Sequence, residues 1–116
     1  MNVPRMRRVN GVLREVIGDE VKALGDPGLD AVTITEVDTS PDLRSAVVYF
    51  TVLGDEEERE RSLEALQRAH GSIQRAIGSE TRMKRTPTLA FRYDQAVETG
   101  LRISSLLEEE REGSDS

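Results

Sequence analysis

Residues 63–78 read LEALQRAHGSIQRAIG, and the way this stretch breaks decides the fold. Leu63, Leu66, Ala69, Ile73 and Ile77 recur at three- and four-residue steps, the spacing of one apolar helical face. Gly71 interrupts it. A glycine inside a helix costs about 1 kcal/mol relative to alanine, so its place between two periodic segments predicts a bend and two helices. Asp55, Glu56, Glu57 and Glu58 stand where the positive end of the first helix favours acids, and Gly78 is predicted to close the second.

Upstream, Met6, Val9, Leu13, Val16, Ile17, Val21 and Leu24 predict an amphipathic helix over about residues 4–24, ended by Gly25. Asp26-Pro27-Gly28 is turn chemistry. Val32, Ile34 and Val37 among Thr33 and Thr35 predict a first strand, with a phase slip near Glu36 that marks a bulge. After the turn Ser40-Pro41-Asp42, residues 44–53 are almost continuously apolar, which suits a central strand hairpinned to the first. Downstream, Arg82-Met83-Lys84-Arg85 and Pro87 precede a third strand through Leu89, Phe91 and Tyr93. A short terminal helix from about Ala96 would bury Val97, Leu101 and Leu106, and Glu108 to Ser116 would be a disordered acidic tail. A strand returning through a helical crossover joins its sheet parallel and right-handed, beside strand two. The reading is α+β, a single domain over residues 1–107 in the order α-β-β-α-α-β. That is the layout of a type II KH domain, with helices on one face of a mixed three-stranded sheet.

The 116 residues fit one domain that buries roughly two-thirds of its unfolded surface. Without cysteine there is no disulfide framework, thiolate zinc site or cysteine nucleophile, and a cytoplasmic setting fits. No apolar run approaches the roughly 20 residues of a membrane helix. The arginine-rich start is unlike a transit peptide, because its pattern runs on through Glu15, Asp19 and Glu20. The net charge of −6 argues, as an average, against a nucleic-acid binder. The distribution says otherwise. Residues 1–14 hold Arg5, Arg7, Arg8 and Arg14 with no acid, and residues 65–93 hold six cations against Glu80 alone.

Arg61, Arg68, Arg75 and Arg82 fall at seven-residue intervals, roughly opposite the Leu63, Leu66 and Ile73 stripe, and would line one solvent face. Arg61 has Glu57 and Glu64 at helical-neighbour spacing and is read as locally paired. From Arg68 onward nearby acids disappear, which leaves unpaired cations to meet phosphates, so Arg68, Arg75, Arg82, Lys84 and Arg85 are candidates for phosphate contact, together with Arg5, Arg7 and Arg8. His70, the single histidine, could stack on a base, cap a helix end or pack inertly. Packing is the plainest of the three. No catalytic residue is assigned: no nucleophile, base and orienting group assemble at recognisable spacing. No metal or cofactor is assigned either, since Asp55 to Glu58 read as a solvated helix start and no phosphate-binding glycine loop is present. Tyr49, Phe50, Phe91 and Tyr93 all fall in predicted strands, where an RNA-stacking sheet is conceivable but core packing is the better account of Phe91 and Tyr93.

These landmarks together resemble the ribosome-binding factor A family over about Arg7 to Leu107. The likeness is carried by Asp26-Pro27-Gly28-Leu29, by Ser40-Pro41-Asp42-Leu43 before Val47-Val48-Tyr49-Phe50, and by Leu66-Gln67-Arg68-Ala69-His70-Gly71. Arg82-Met83-Lys84-Arg85, Leu89-Ala90-Phe91-Arg92-Tyr93-Asp94 and Gly100 before Leu101-Arg102-Ile103-Ser104 complete it. In that family an Ala-any residue-Gly kink replaces the glycine loop of ordinary KH domains, which here corresponds to Ala69-His70-Gly71. The resemblance implies a non-enzymatic, monomeric factor that binds the free small ribosomal subunit and its RNA in late assembly. It also implies a part in processing the 5′ end of that RNA, a role in the cold, and a ribosome-assembly GTPase as releasing partner. The short acidic tail departs from members with longer, more basic extensions. A rival reading is an acidic adaptor that engages basic ribosomal proteins.

Overall fold

The computed structural model describes residues 3–96. The expected terminal helix, beyond its start at Ala96, and the tail over 108–116 lie outside them. Helix α1 (Val3–Ala23) is followed by a 3-10 turn (Pro27–Leu29), strands β1 (Val32–Thr39) and β2 (Ser45–Val52), helices α2 (Glu56–Arg68) and α3 (His70–Glu80), and strand β3 (Thr88–Tyr93). The sheet order is β1-β2-β3, with β1 antiparallel and β3 parallel to the central β2. This is the mixed KH-like sheet that the element order implied.

The core lies between the sheet and the three helices. Leu13 and Ile17 of α1, Leu66 of α2 and Ile73 and Ile77 of α3 are fully buried with Val37, Val48 and Phe50 of the sheet. Each such side chain contributes roughly 1.5–3 kcal/mol on leaving water. The phase slip is real. Pairing jumps from Ile34↔Phe50 to Glu36↔Tyr49, leaving Thr35 as the bulged residue, and its hydroxyl donates to Asp94 Oδ2 at 2.5 Å. Gly25 ends α1 with φ of 63°. At Gly28 the reason for glycine is close approach, since a Cβ there would stand 2.9 Å from Ala65 Cβ on α2.

The helix pair is kinked within Ala69-His70-Gly71, as expected, but the pivot residue and the end of α3 differ from the reading. The break falls at Ala69, which has φ −82° and ψ −2° and is buried against the core, whereas Gly71 lies inside the first turn of α3 with room for a side chain. Packing rather than glycine's freedom sets the bend. Nor does Gly78 close α3: the helix continues to Glu80, because Ile77 is in the core and Thr81 caps the end through its N–H and hydroxyl, both donating to Ile77 O. At the other end α2 starts as the acids implied, with Asp55 Oδ1 accepting from Glu58 N at 3.0 Å.

Candidate nucleic-acid interface

The connection between α3 and β3 carries Arg82, Lys84 and Arg85 on the surface, and it is held at both ends. Thr81 anchors its start to α3. Near its end the Gln74 amide donates to Pro87 O and accepts from Thr86 Oγ1, with Pro87 itself buried. The β1–β2 turn is equally fixed. Ser40 Oγ donates to Asp42 Oδ1 at 2.7 Å, Arg44 N donates to the same oxygen at 3.1 Å, and Leu43 N donates to Ser40 O at 2.9 Å. Leu43 is held with φ of 61°, in the left-handed region that a branched apolar residue seldom occupies. The Ser40 hydroxyl, followed by the Arg44 backbone, keeps the Asp42 carboxyl below its ordinary range. Thr88 N donates to Arg44 O at 2.9 Å, so this turn is tied to the start of β3.

These two segments and the first turns of α1 enclose a groove of about 940 Å³. Arg5 and Arg8 line it from α1, Arg44 from the turn, and Arg82, Lys84 and Arg85 from the connection. Six cations thus face two acids, Asp42 and Glu80, and the Asp42 carboxylate is already engaged within its own turn. All six cations are exposed. Between them lies an apolar floor of Val9, Val12, Leu43 and Met83, backed by the buried Leu13. Such a surface offers mobile guanidinium and ammonium donors to phosphates from three sides, with no wall of like charge to repel them.

Five of the eight candidate cations are therefore brought together, and three are not. Arg7 points to another side of α1 and lines a shallow depression with Arg14, Asn10 and Glu36. Arg68 lies 3.8 Å from Asp26 Oδ2, so the expectation that it lacked an acid is corrected by a partner from a distant turn. Arg75 donates to Ser72 Oγ at 3.2 Å and does not line the groove. The single arginine file does not survive the break at Ala69, and of its four members only Arg82 reaches the groove. Arg61 pairs locally, as read, although with Glu58. Arg44 was missing from the candidates; its only signal was its place as the first cation after the Ser40-Pro41-Asp42 turn. Gln74 carried no sequence signal at all.

At the kink, His70 begins α3 and meets Phe91 edge-on with ring centroids 6.3 Å apart. Tyr93 packs edge-on against Phe50 at 5.9 Å and receives the Arg59 guanidinium at 4.1 Å from its ring centre. Phe91 and Tyr93 are accordingly core-side rings. Among the described residues no helix is long and apolar enough to cross a membrane, and no three His, Cys, Asp or Glu side chains could hold a metal ion.

A sequence profile for ribosome-binding factor A matches residues 5–107. The chain belongs to the ribosome-binding factor A family. A ribosome-binding factor A of Rubrobacter xylanophilus is 46% identical over 112 residues, covering 94% of this chain and 89% of that one. One from Halothermothrix orenii is 38% identical over 117 residues, covering 100% of this chain and 96% of the relative. The crystal structure of ribosome-binding factor A from Thermus thermophilus is similar with a TM-score of 0.69 at 31% identity, over 76% of this chain and 93% of that chain. A homology model of the Thermus thermophilus protein, fitted into a cryo-electron-microscopy map of its complex with the 30S subunit, gives a TM-score of 0.61 at 32% identity, over 74% and 91% of the two chains.

Proposed function

We propose that this family member is a non-enzymatic maturation factor that docks its cationic groove on ribosomal RNA of the free small subunit. The observation that carries the proposal is the convergence of six exposed cations from α1, the β1–β2 turn and the α3–β3 connection on one groove, in a chain whose net charge is −6. An acidic protein that brings six of its sixteen cations to one groove limits non-specific attraction and concentrates its phosphate contacts on that surface. The relative fitted into a 30S complex supports the choice of partner.

In this reading residues 1–107 are the binding domain and residues 108–116 a solvated acidic extension. The protein acts as a cytoplasmic monomer without cofactor, in late assembly and 5′-end processing of the small-subunit RNA, and is needed most in the cold. An assembly GTPase releases it. Arg7, Arg68 and Arg75 add general positive potential but no groove contact. Sedimentation of a low-salt lysate tests the proposal: the protein should run with free small subunits and scarcely with translating ribosomes. An even spread through the gradient overturns it. Limited RNase treatment should release the bound protein, whereas retention on ribosomal proteins would favour the adaptor.

A further inference from the structure

We infer that the outer face of the sheet is the seat of the chain's own C-terminal segment, with residues 95–107 packed on it as an amphipathic helix. The inference is independent of the RNA-binding reading. Helices α1, α2 and α3 lie on the core side of the sheet. The middle of the other face presents two rows of paired residues, Glu36, Tyr49 and Arg92 in one and Asp38, Val47 and Ala90 in the next. Strand β2 is thus apolar both ways, with Ala46, Val48 and Phe50 inward and Val47 and Tyr49 outward. A continuous apolar run of that kind belongs to a strand covered on both faces.

The way the chain leaves β3 points to what covers it. Asp94 N donates to Phe50 O at 2.7 Å, and Asp94 Oδ2 accepts from Thr35 Oγ1 at the β1 bulge, so the carboxylate reaches across β2 to β1. Its other oxygen accepts from Ala96 N at 3.1 Å, and Gln95 and Ala96 are already helical. Asp94 is therefore the N-cap of a helix, and its burial with both oxygens engaged fixes where that helix begins. Gln95 and Ala96 border a depression of about 720 Å³ that Glu36, Asp38, Tyr49 and Arg92 of the outer face also line.

The sequence that follows has the matching pattern. On a helix started at Gln95, the residues Ala96, Val97, Gly100, Leu101, Ile103 and Leu107 fall within one arc of about 160°, while Glu98, Thr99 and Arg102 fall outside it and Leu106 on its far side. Gly100 stands near the centre of the arc, where a missing side chain lets a helix backbone approach a sheet closely. Residues 95–107 as helix would span about 20 Å, about the length of β3. Tyr49, the one aromatic residue at an outward position, is then a seat for this helix and not a platform for stacking bases.

The chain has no cysteine, so Val47→Cys places a single thiol in the middle of the outer face of the full-length protein. Its alkylation by a maleimide should be about tenfold slower than in the same chain carrying Leu101→Asp and Ile103→Asp, which put charge into the apolar arc. Leu106→Asp, on the far side of the helix, should leave the protection in place. A second readout does not depend on the charged variants folding: Val47→Cys with Gly100→Cys should close an intrachain disulfide under mild oxidation, and Val47→Cys with Leu106→Cys should not. Equal alkylation with and without the arc charges, or equal disulfide formation by the two cysteine pairs, overturns the inference. Protection that grows with protein concentration would assign the face to a second copy, and protection that appears only on adding small subunits would assign it to the ribosome. Either result overturns it as well.

Discussion

Replacing Arg82, Lys84 and Arg85 together by Gln removes half of the six groove cations while changing only exposed side chains of a pinned connection. Each phosphate contact contributes about 0.7–0.9 to the slope of log affinity against log salt. If all six cations engage phosphates, raising salt fourfold weakens the wild type by about 300- to 2,000-fold, and the variant by only about 20- to 40-fold. Stability should move little, since surface substitutions usually stay within about ±0.5 kcal/mol each. The control is Arg7→Gln with Arg14→Gln, which removes cations lining a different depression. Purified small subunits titrated with labelled protein at several salt concentrations give the slopes directly. An equal flattening in variant and control would show that overall charge, not the groove, sets the affinity. An unchanged slope in the triple variant would refute phosphate contact at the connection altogether.

Gln74→Ala should cost about 1–3 kcal/mol and weaken subunit binding, because it strands the Pro87 carbonyl and frees the basic connection; chemical denaturation with a parallel binding titration checks both halves. Gly71→Ala should stabilise the fold by about 1 kcal/mol, a rise of roughly 4–8 °C in melting temperature, since the residue lies in helix and a Cβ would meet only the mobile Arg75 guanidinium at 3.4 Å. A fall in melting temperature would show that the bend needs glycine after all. The Asp42 carboxyl, held below its ordinary 3.8, favours the β1–β2 turn at higher pH and loses that contribution as pH falls through its folded value. The amide signals of Leu43 and Arg44 should therefore move together below about pH 4, and Asp42→Asn should abolish the transition.

What the sequence made legible, and what it did not, divides by the range of the interaction. The apolar spacing from Val9 to Val21 gives α1, the slip near Glu36 gives the bulge, and right-handed crossover places β3 beside β2; each is local or follows from chain chirality. The groove is not local. Its walls come from residues 5–13, 42–44 and 80–85, and which cations meet there depends on helix rotation. Arg7 and Arg8 are neighbours in sequence, yet about 100° of helical turn separates them, and only the packing of α1 decides which one reaches the groove. Arg68 looked unpaired because its acid, Asp26, comes from another turn.

The kink shows the same division at a single residue. Glycine is the visible helix weakness, so sequence periodicity points to Gly71, while Ala69 is of the type that most favours helix. The chain nevertheless breaks at Ala69, where the residue is buried against the core and the next, His70, is seated on Phe91 of β3. Tertiary contacts of that kind are worth several kcal/mol in total and outweigh a propensity difference of about 1 kcal/mol. The bend is thus fixed by what α3 must cover, Ile73 and Ile77 inward with Gln74 bonded to the α3–β3 connection. Because α3 both packs the core and holds that connection, the kink that orients it also sets where Arg82, Lys84 and Arg85 meet α1. A chain with one continuous helix from Glu56 to Glu80 would carry the same cations and have no reason to gather them.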